Sequence, residues 1–282
     1  MSDISKVVSS IMVKQSELNK VFCGENYLDT GKAEKTGKPI VFGLALLSEL
    51  TEFLDSRNWK HWKSGNEIDK RNSITELIDK IHFFSAASIQ LYYRWYTSDK
   101  GIPKDKVLFP GNLYTGFAER VNDLYNNLKK ISEHKDVLKV PSEKDEENDF
   151  LKMIVSSTRA VSAIVSSGME LDKKDINFHI DSIARADIEI VNSYARTIYY
   201  LDRYLGVTPD NLLAMYMVKN VLNSFRIENG YDKGEYLKMW GGVEDNDYIY
   251  ELVKNSDMLG KDVDVLEKEL YELISKEYNK FI

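Results

Sequence analysis

IVFGLALLSELTEFLD, residues 40–55, repeats its apolar side chains at intervals of three and four, without strand-like alternation. That period is helical. A helix turns about 100° per residue, so Glu49 and Glu52 leave one face a turn apart, in an arc shared with Val41, Phe42, Ala45 and Phe53. Those neighbours are apolar, not the solvated stripe of an ordinary surface helix. The pattern returns 27 residues later as Glu76 and Asp79, which share a face with Phe83, Ala86 and Ala87. The two alanines are small enough to let another helix approach.

Four carboxylates converging in such surroundings would repel one another and lose hydration unless cations neutralised them. Oxygen-only donors select hard ions, so Mg²⁺ is the expected metal. A structural account stands beside this one. Ser73-x-x-Glu76 fits a capping box, in which Glu76 would satisfy an amide at a helix start, and Glu49, Glu52 and Asp79 could pair with lysines or arginines.

Working outward, 5 prolines and 15 glycines in 282 residues leave few breakers, and 3.6-residue spacing recurs along most of the chain. The fold is read as all-α. Helices are expected at 2–22, 38–58, 73–97, 112–133, 146–168, 174–204, 209–228 and 260–280, with shorter ones at 232–240 and 245–256. Gly206 can close one helix, Thr208 can cap the next, Pro209 suits its first turn, and Asn229-Gly230 offers its stop. His134 to Asn148, charged and poor in apolar residues, reads as an exposed connection.

A formal net charge of −7 and a pI near 5.3 disfavour a protein that grips nucleic acid through its phosphates. Any polyanionic ligand must be met by local positive charge or by metal. Cys23 is the only cysteine, which rules out an intramolecular disulfide and suits a reducing compartment. The first twenty residues, broken by Asp3, Lys6, Lys14 and Gln15, have neither a signal-peptide core nor a membrane span. No membrane partner is expected, and the expected address is the cytoplasm.

Positive charge gathers in two places. Lys219, Asn223 and Arg226 stack along one helix face, with donors suited to phosphate oxygens. A loop rich in glycine, tyrosine and lysine follows, from Gly230-Tyr231 through Lys238 to Asn246. It is not a P-loop, because G-x-x-x-x-G-K-[ST] is absent. Trp59-Lys60-His61-Trp62-Lys63 supplies aromatic surface and two more cations, a combination able to cover a base and phosphates. His82, three residues after Asp79, reads either as a site residue or as a structural histidine bonded to that carboxylate. A solvated basic stripe and a buried aromatic anchor are the corresponding structural accounts.

Together these residues resemble the dimeric dUTPases of the all-α NTP pyrophosphohydrolase superfamily. One block of the resemblance is Glu49-Leu50-Thr51-Glu52, then Trp59-Lys60-x-Trp62-Lys63, then Glu76-Leu77-Ile78-Asp79-x-x-His82-Phe83-Phe84. The second, longer and more specific, runs from Lys219-Asn220-x-Leu222-Asn223-x-x-Arg226 through Asn229-Gly230-Tyr231 and Lys238-x-Trp240 to Glu244-Asp245-Asn246. The resemblance implies cleavage of dUTP to dUMP and pyrophosphate, with dUDP also accepted. It maps Glu49, Glu52, Glu76 and Asp79 onto the Mg²⁺ ligands; of these four acids, Glu49 is the one expected to orient and deprotonate the attacking water. Asn223, Arg226, Tyr231, Lys238 and Asn246 map onto nucleotide and phosphate contacts, His82 and Trp62 fall near the base or sugar, and Gln15 and Asn19 fit the residues that read uracil. A homodimer is implied as well, each chain a single domain of residues 1–282 with a helical bundle core and further helices closing over the active site. Two alternatives stay open: a related pyrophosphatase that also accepts dCTP, and an inactive helical interaction protein.

Overall fold

The computed structural model describes residues 3–57, 59–60, 68–99, 112–135, 142–169, 176–254, 256, 258 and 261–282. Within them the protein is all-α, with ten α-helices and one two-stranded ribbon. The helices are α1 (Ile4–Cys23), α2 (Tyr27–Thr30), α3 (Phe42–Asp55), α4 (Lys70–Asp99), α5 (Asn112–Lys135), α6 (Glu143–Met169), α7 (Ile176–Tyr200), α8 (Pro209–Glu228), α9 (Asp245–Lys254) and α10 (Val263–Tyr278). The chain divides into two compact units, residues 3–208 and Pro209–Ile282. No described helix is long and apolar enough to cross a membrane.

In the larger unit α4 packs against α1, α3 and α7, and α6 lies along both α3 and α7. Leu46, Phe53, Leu77, Ile81, Phe84 and Ala86 are fully buried between these helices. Helix α3 comes so close to α6 that a Cβ on Gly43 would sit 2.8 Å from a Val165 methyl. Hydroxyl-to-carboxylate bonds tie the helices laterally. Tyr92 donates to Asp187 (2.6 Å), Tyr125 to Asp202 (2.5 Å), Tyr200 to Glu146 (2.9 Å), Tyr204 to Asp149 (2.7 Å) and Tyr93 to Asp29.

Two helix starts lie upstream of those expected. Asp69 caps α4 by accepting the Asn72 amide (2.9 Å), so Ser73 lies one turn inside, with its hydroxyl on the Asp69 carbonyl (2.8 Å). The capping box proposed for Ser73 and Glu76 is therefore not formed, and Glu76 is released from that role. Helix α6 begins at Glu143, inside the stretch read as an exposed connection. The Ser142 hydroxyl accepts the Asp145 amide (3.3 Å), and Asp145 accepts the Ser142 amide (3.1 Å). This reciprocal cap needs no apolar residue. Helix α7 ends in one wider π turn, Leu201–Leu205, closed by Gly206 in the left-handed region (φ 76°).

The smaller unit packs α9 and α10 against α8. The helix expected at 232–240 is absent: the chain makes a 3₁₀ turn over Tyr231–Lys233, and Met239–Trp240 then pairs antiparallel with Val243–Glu244. Gly241 and Gly242 form the connection, both at positive φ, which a helix cannot accommodate. Trp240 is fully buried there, between Tyr278 (5.6 Å between ring centres) and Tyr248 (5.6 Å).

Candidate metal centre and nucleotide site

Burial of Leu46, Leu50 and Phe53 turns Glu49 of α3 toward α4, whose own buried residues Leu77 and Ile81 leave Glu76 and Asp79 facing it. One carboxylate oxygen from each of Glu49, Glu76 and Asp79 lies within 4.8 Å of the others. Glu76 is only 7 % exposed. Burial, the charge of Asp79, a hydrogen bond to Glu76 and the charges of Glu76 and Glu52 all favour the protonated form of Glu49, pushing it up to about 9.

Glu52 stands apart from this trio. It is exposed and accepts the Ser48 hydroxyl (3.1 Å), although its charge still adds to the load on Glu49. The neighbouring cation is turned away: Lys80, fully buried, donates to Ser157 on α6 (2.8 Å), and burial lowers it to about 7. Three hard oxygen donors of like charge suit Mg²⁺. Ligand oxygens at about 2.1 Å from such an ion stand about 3.0 Å apart when adjacent and at most about 4.2 Å apart, so the trio would draw together to hold one.

On α1, Gln15 and Asn19 are buried one turn apart. The Gln15 amide donates to Asn19 Oδ1 (2.8 Å), and Asn19 Nδ2 donates to the Tyr27 hydroxyl (3.1 Å). His82 is also buried, but its Nδ1 meets the Ile78 carbonyl (3.0 Å), one turn back on its own helix. Lys60 pairs with Asp55 (2.7 Å) and lies 5.7 Å from the centre of the exposed Trp59 ring. Trp62 and Lys63 lie outside the described residues.

In the smaller unit, Arg226 gathers the second block. Its Nε and Nη2 clasp Asp245 (2.9 and 2.6 Å), its Nη1 donates to Asn223 (3.0 Å), and the Tyr231 ring lies 5.8 Å from the guanidinium. The Tyr236 hydroxyl also donates to Asp245 (2.8 Å). Asp245 thus organises residues expected at the phosphates, a role not assigned to it from the sequence. Its signal was an acid at a helix start placed nineteen residues after Arg226. Lys219 is partly exposed on the same helix, and Lys238 pairs across the ribbon with Glu244 (3.2 Å). The Asn246 amide nitrogen donates to Asp245 (2.8 Å), while its Oδ1 is buried without a partner among the described residues.

No curated protein matches the chain. The family described as dUTPase does match, over residues 7–231, a span that holds both acidic pairs, Gln15, Asn19, Arg226 and Tyr231 and stops short of Lys238 and Asn246. With well over half of its length matched and an all-helical fold carrying the acids, the chain belongs to the dUTPase family in its all-α form, and its reaction is the hydrolysis of dUTP.

Proposed function

We propose that the protein is a Mg²⁺-dependent pyrophosphohydrolase that converts dUTP to dUMP and pyrophosphate, and that accepts dUDP. The observation supporting this reading is the convergence of Glu49, Glu76 and Asp79 within 4.8 Å. Glu52, one turn from Glu49, completes the proposed ligand set. Held by such oxygens, Mg²⁺ would supply Lewis acidity, lowering the pKa of a water and neutralising phosphate charge. Glu49, freed of its proton once the mutual repulsion is neutralised, is the carboxylate that orients the attacking water and takes its proton. From the family resemblance, attack is proposed at the β-phosphorus.

Gln15 and Asn19 are proposed to read the uracil, with His82 and Trp62 near the base or sugar. In a closed pocket a mismatched exocyclic amine leaves buried polar groups unpaired, which supplies discrimination. Lys60, Lys63 and Lys219 contribute positive charge, and Asn223, Arg226, Tyr231, Lys238 and Asn246 are proposed nucleotide and phosphate contacts. The functional particle is proposed to be a homodimer with no nucleic-acid partner. Pyrophosphate release from dUTP, dCTP, dTTP and UTP, with Mg²⁺ and with EDTA, tests the reading. Turnover is expected with dUTP and Mg²⁺ alone, and equal rates in EDTA or across the bases would refute it.

A further inference from the structure

We propose that Gln90 is a further nucleotide-binding residue, whose side-chain amide donates a hydrogen bond to an oxygen of the deoxyuridine half of the substrate. The inference rests on the reading of Glu49, Glu76 and Asp79 as the centre that meets the phosphates, and of Gln15 and Asn19 as the base site. Gln90 is only 6 % exposed, and its Nε2 is buried with no hydrogen-bond partner among the described residues. Buried amides are nearly always bonded, because the loss of water without a replacement is costly. A leucine at this position would fill similar space without that cost. The unpaired donor calls for an acceptor that arrives from outside the chain.

Its place on α4 says what that acceptor belongs to. Gln90 follows Asp79 by eleven residues, so at about 100° per residue it leaves the helix within about 20° of Asp79 and about 40° of Glu76. Between them the same stripe holds Phe83, half-buried, and the buried alanines Ala86 and Ala87, which are too small to obstruct it. One turn further, α4 meets α2: a Cβ on Gly31 would stand 3.9 Å from Arg94 Nη2, and Tyr93 donates to Asp29. Helix α2 carries Tyr27, which is bonded to Asn19. Gln90 therefore lies along α4 between the acidic trio and the helix that abuts the proposed base readers. Its Cα is about 16 Å from that of Asp79 along the axis, the scale of a nucleoside triphosphate laid lengthwise.

An N–H donor matches a carbonyl or hydroxyl oxygen. The uracil ring offers its carbonyls and the sugar its 3′ hydroxyl. A carboxamide that nothing holds can turn over, so this contact adds affinity for the nucleoside and leaves the choice of base to the rest of the pocket.

Gln90→Leu separates this role from a structural one, because the two differ in sign. Removing an unpaired buried amide is expected to leave the melting temperature of the nucleotide-free protein at or above that of the parent. KM for dUTP is expected to rise about tenfold, the scale of one hydrogen bond, with kcat within a few-fold. The same comparison with 2′,3′-dideoxyuridine triphosphate identifies the acceptor: an equal rise assigns a base oxygen, and no rise assigns the 3′ hydroxyl. An unchanged KM for dUTP overturns the proposal. So does a raised KM with a lowered melting temperature, which would mean that the amide serves the fold. Should Gln90→Leu not fold, Gln90→Met, unbranched like the parent and without a donor, carries the same test. Asn19→Ala distinguishes failure of the proposal from failure of the reading beneath it. If Asn19→Ala raises KM and Gln90→Leu does not, only Gln90 is misassigned. If neither does, the base site lies elsewhere and the proposal falls with it.

Discussion

Mg²⁺ binding should release a proton, and the released proton is Glu49's. In the metal-free protein Glu49 is pushed up to about 9 by burial and by Asp79, Glu76 and Glu52. At pH 7 such a group is about 99 % protonated, and the cation must displace that proton to use the carboxylate as a ligand. Calorimetric titration of Mg²⁺ in buffers of different ionisation enthalpy is expected to show close to one proton released at pH 7, and about half a proton near pH 9. Apparent affinity should rise about fiftyfold between pH 7 and pH 9, close to 2.3 kcal/mol over the interval, and level off above. Linkage fixes the companion effect on stability. Because the folded pKa exceeds the unfolded value of 4.5, Glu49's contribution is fully present below about 4.5 and is lost as pH rises through about 9. The metal-free melting temperature should therefore fall toward alkaline pH, and Mg²⁺ should oppose the fall. Affinity independent of pH between 7 and 9, with no proton released, would refute the account of the acidic trio.

Three further outcomes are expected. Glu49→Gln should lower turnover by about 10²–10⁴-fold, as loss of a general base does, and abolish the proton release, while Glu52→Gln, altering an exposed carboxylate, should retain the proton release; steady-state kinetics and the same titrations compare them. Asp245→Asn leaves Arg226 buried without its charge partner, and thermal or denaturant unfolding should show a loss of about 3–5 kcal/mol. Gly43→Ala forces a methyl against Val165 and Ile164 where α3 meets α6, and unfolding should show a loss of about 1–3 kcal/mol.

The helices with sustained apolar periods were legible in the sequence, because burial of one face decides them: α1, α3, α4, α7 and α8 lie close to their expected spans. The start of α6 was not, since Ser142 and Asp145 build it from hydrogen bonds that leave no trace in hydrophobic spacing. At 232–240 four exposed residues precede Tyr236 and Trp240, which are the buried ones, and Gly241 and Gly242 with positive φ select a ribbon over a helix. The acidic site was legible as two i, i+3 pairs, but spacing along a helix could not show that Glu52 points outward while Glu49 points at its counterparts. Nor could it show that Asp245 holds Arg226 or that Tyr27 reaches Asn19. Those contacts join separate elements, and only the packed chain creates them.

The lateral ties of the helical scaffold have a consequence for solution behaviour. Tyr92, Tyr93, Tyr125, Tyr200 and Tyr204 each bond a carboxylate through a neutral phenol, and burial pushes every one of these phenols above its ordinary range. Four of the acceptors, Asp187, Asp202, Glu146 and Asp149, also pair with Arg120, Lys129, Arg57 and Lys152, so each of these ties joins a neutral phenol and a cation on one carboxylate. Raising ionic strength therefore weakens the exposed cation half of such a tie, while the phenol half, which carries no charge, persists. The frame keeps its hydrogen bonds where salt screens its ion pairs.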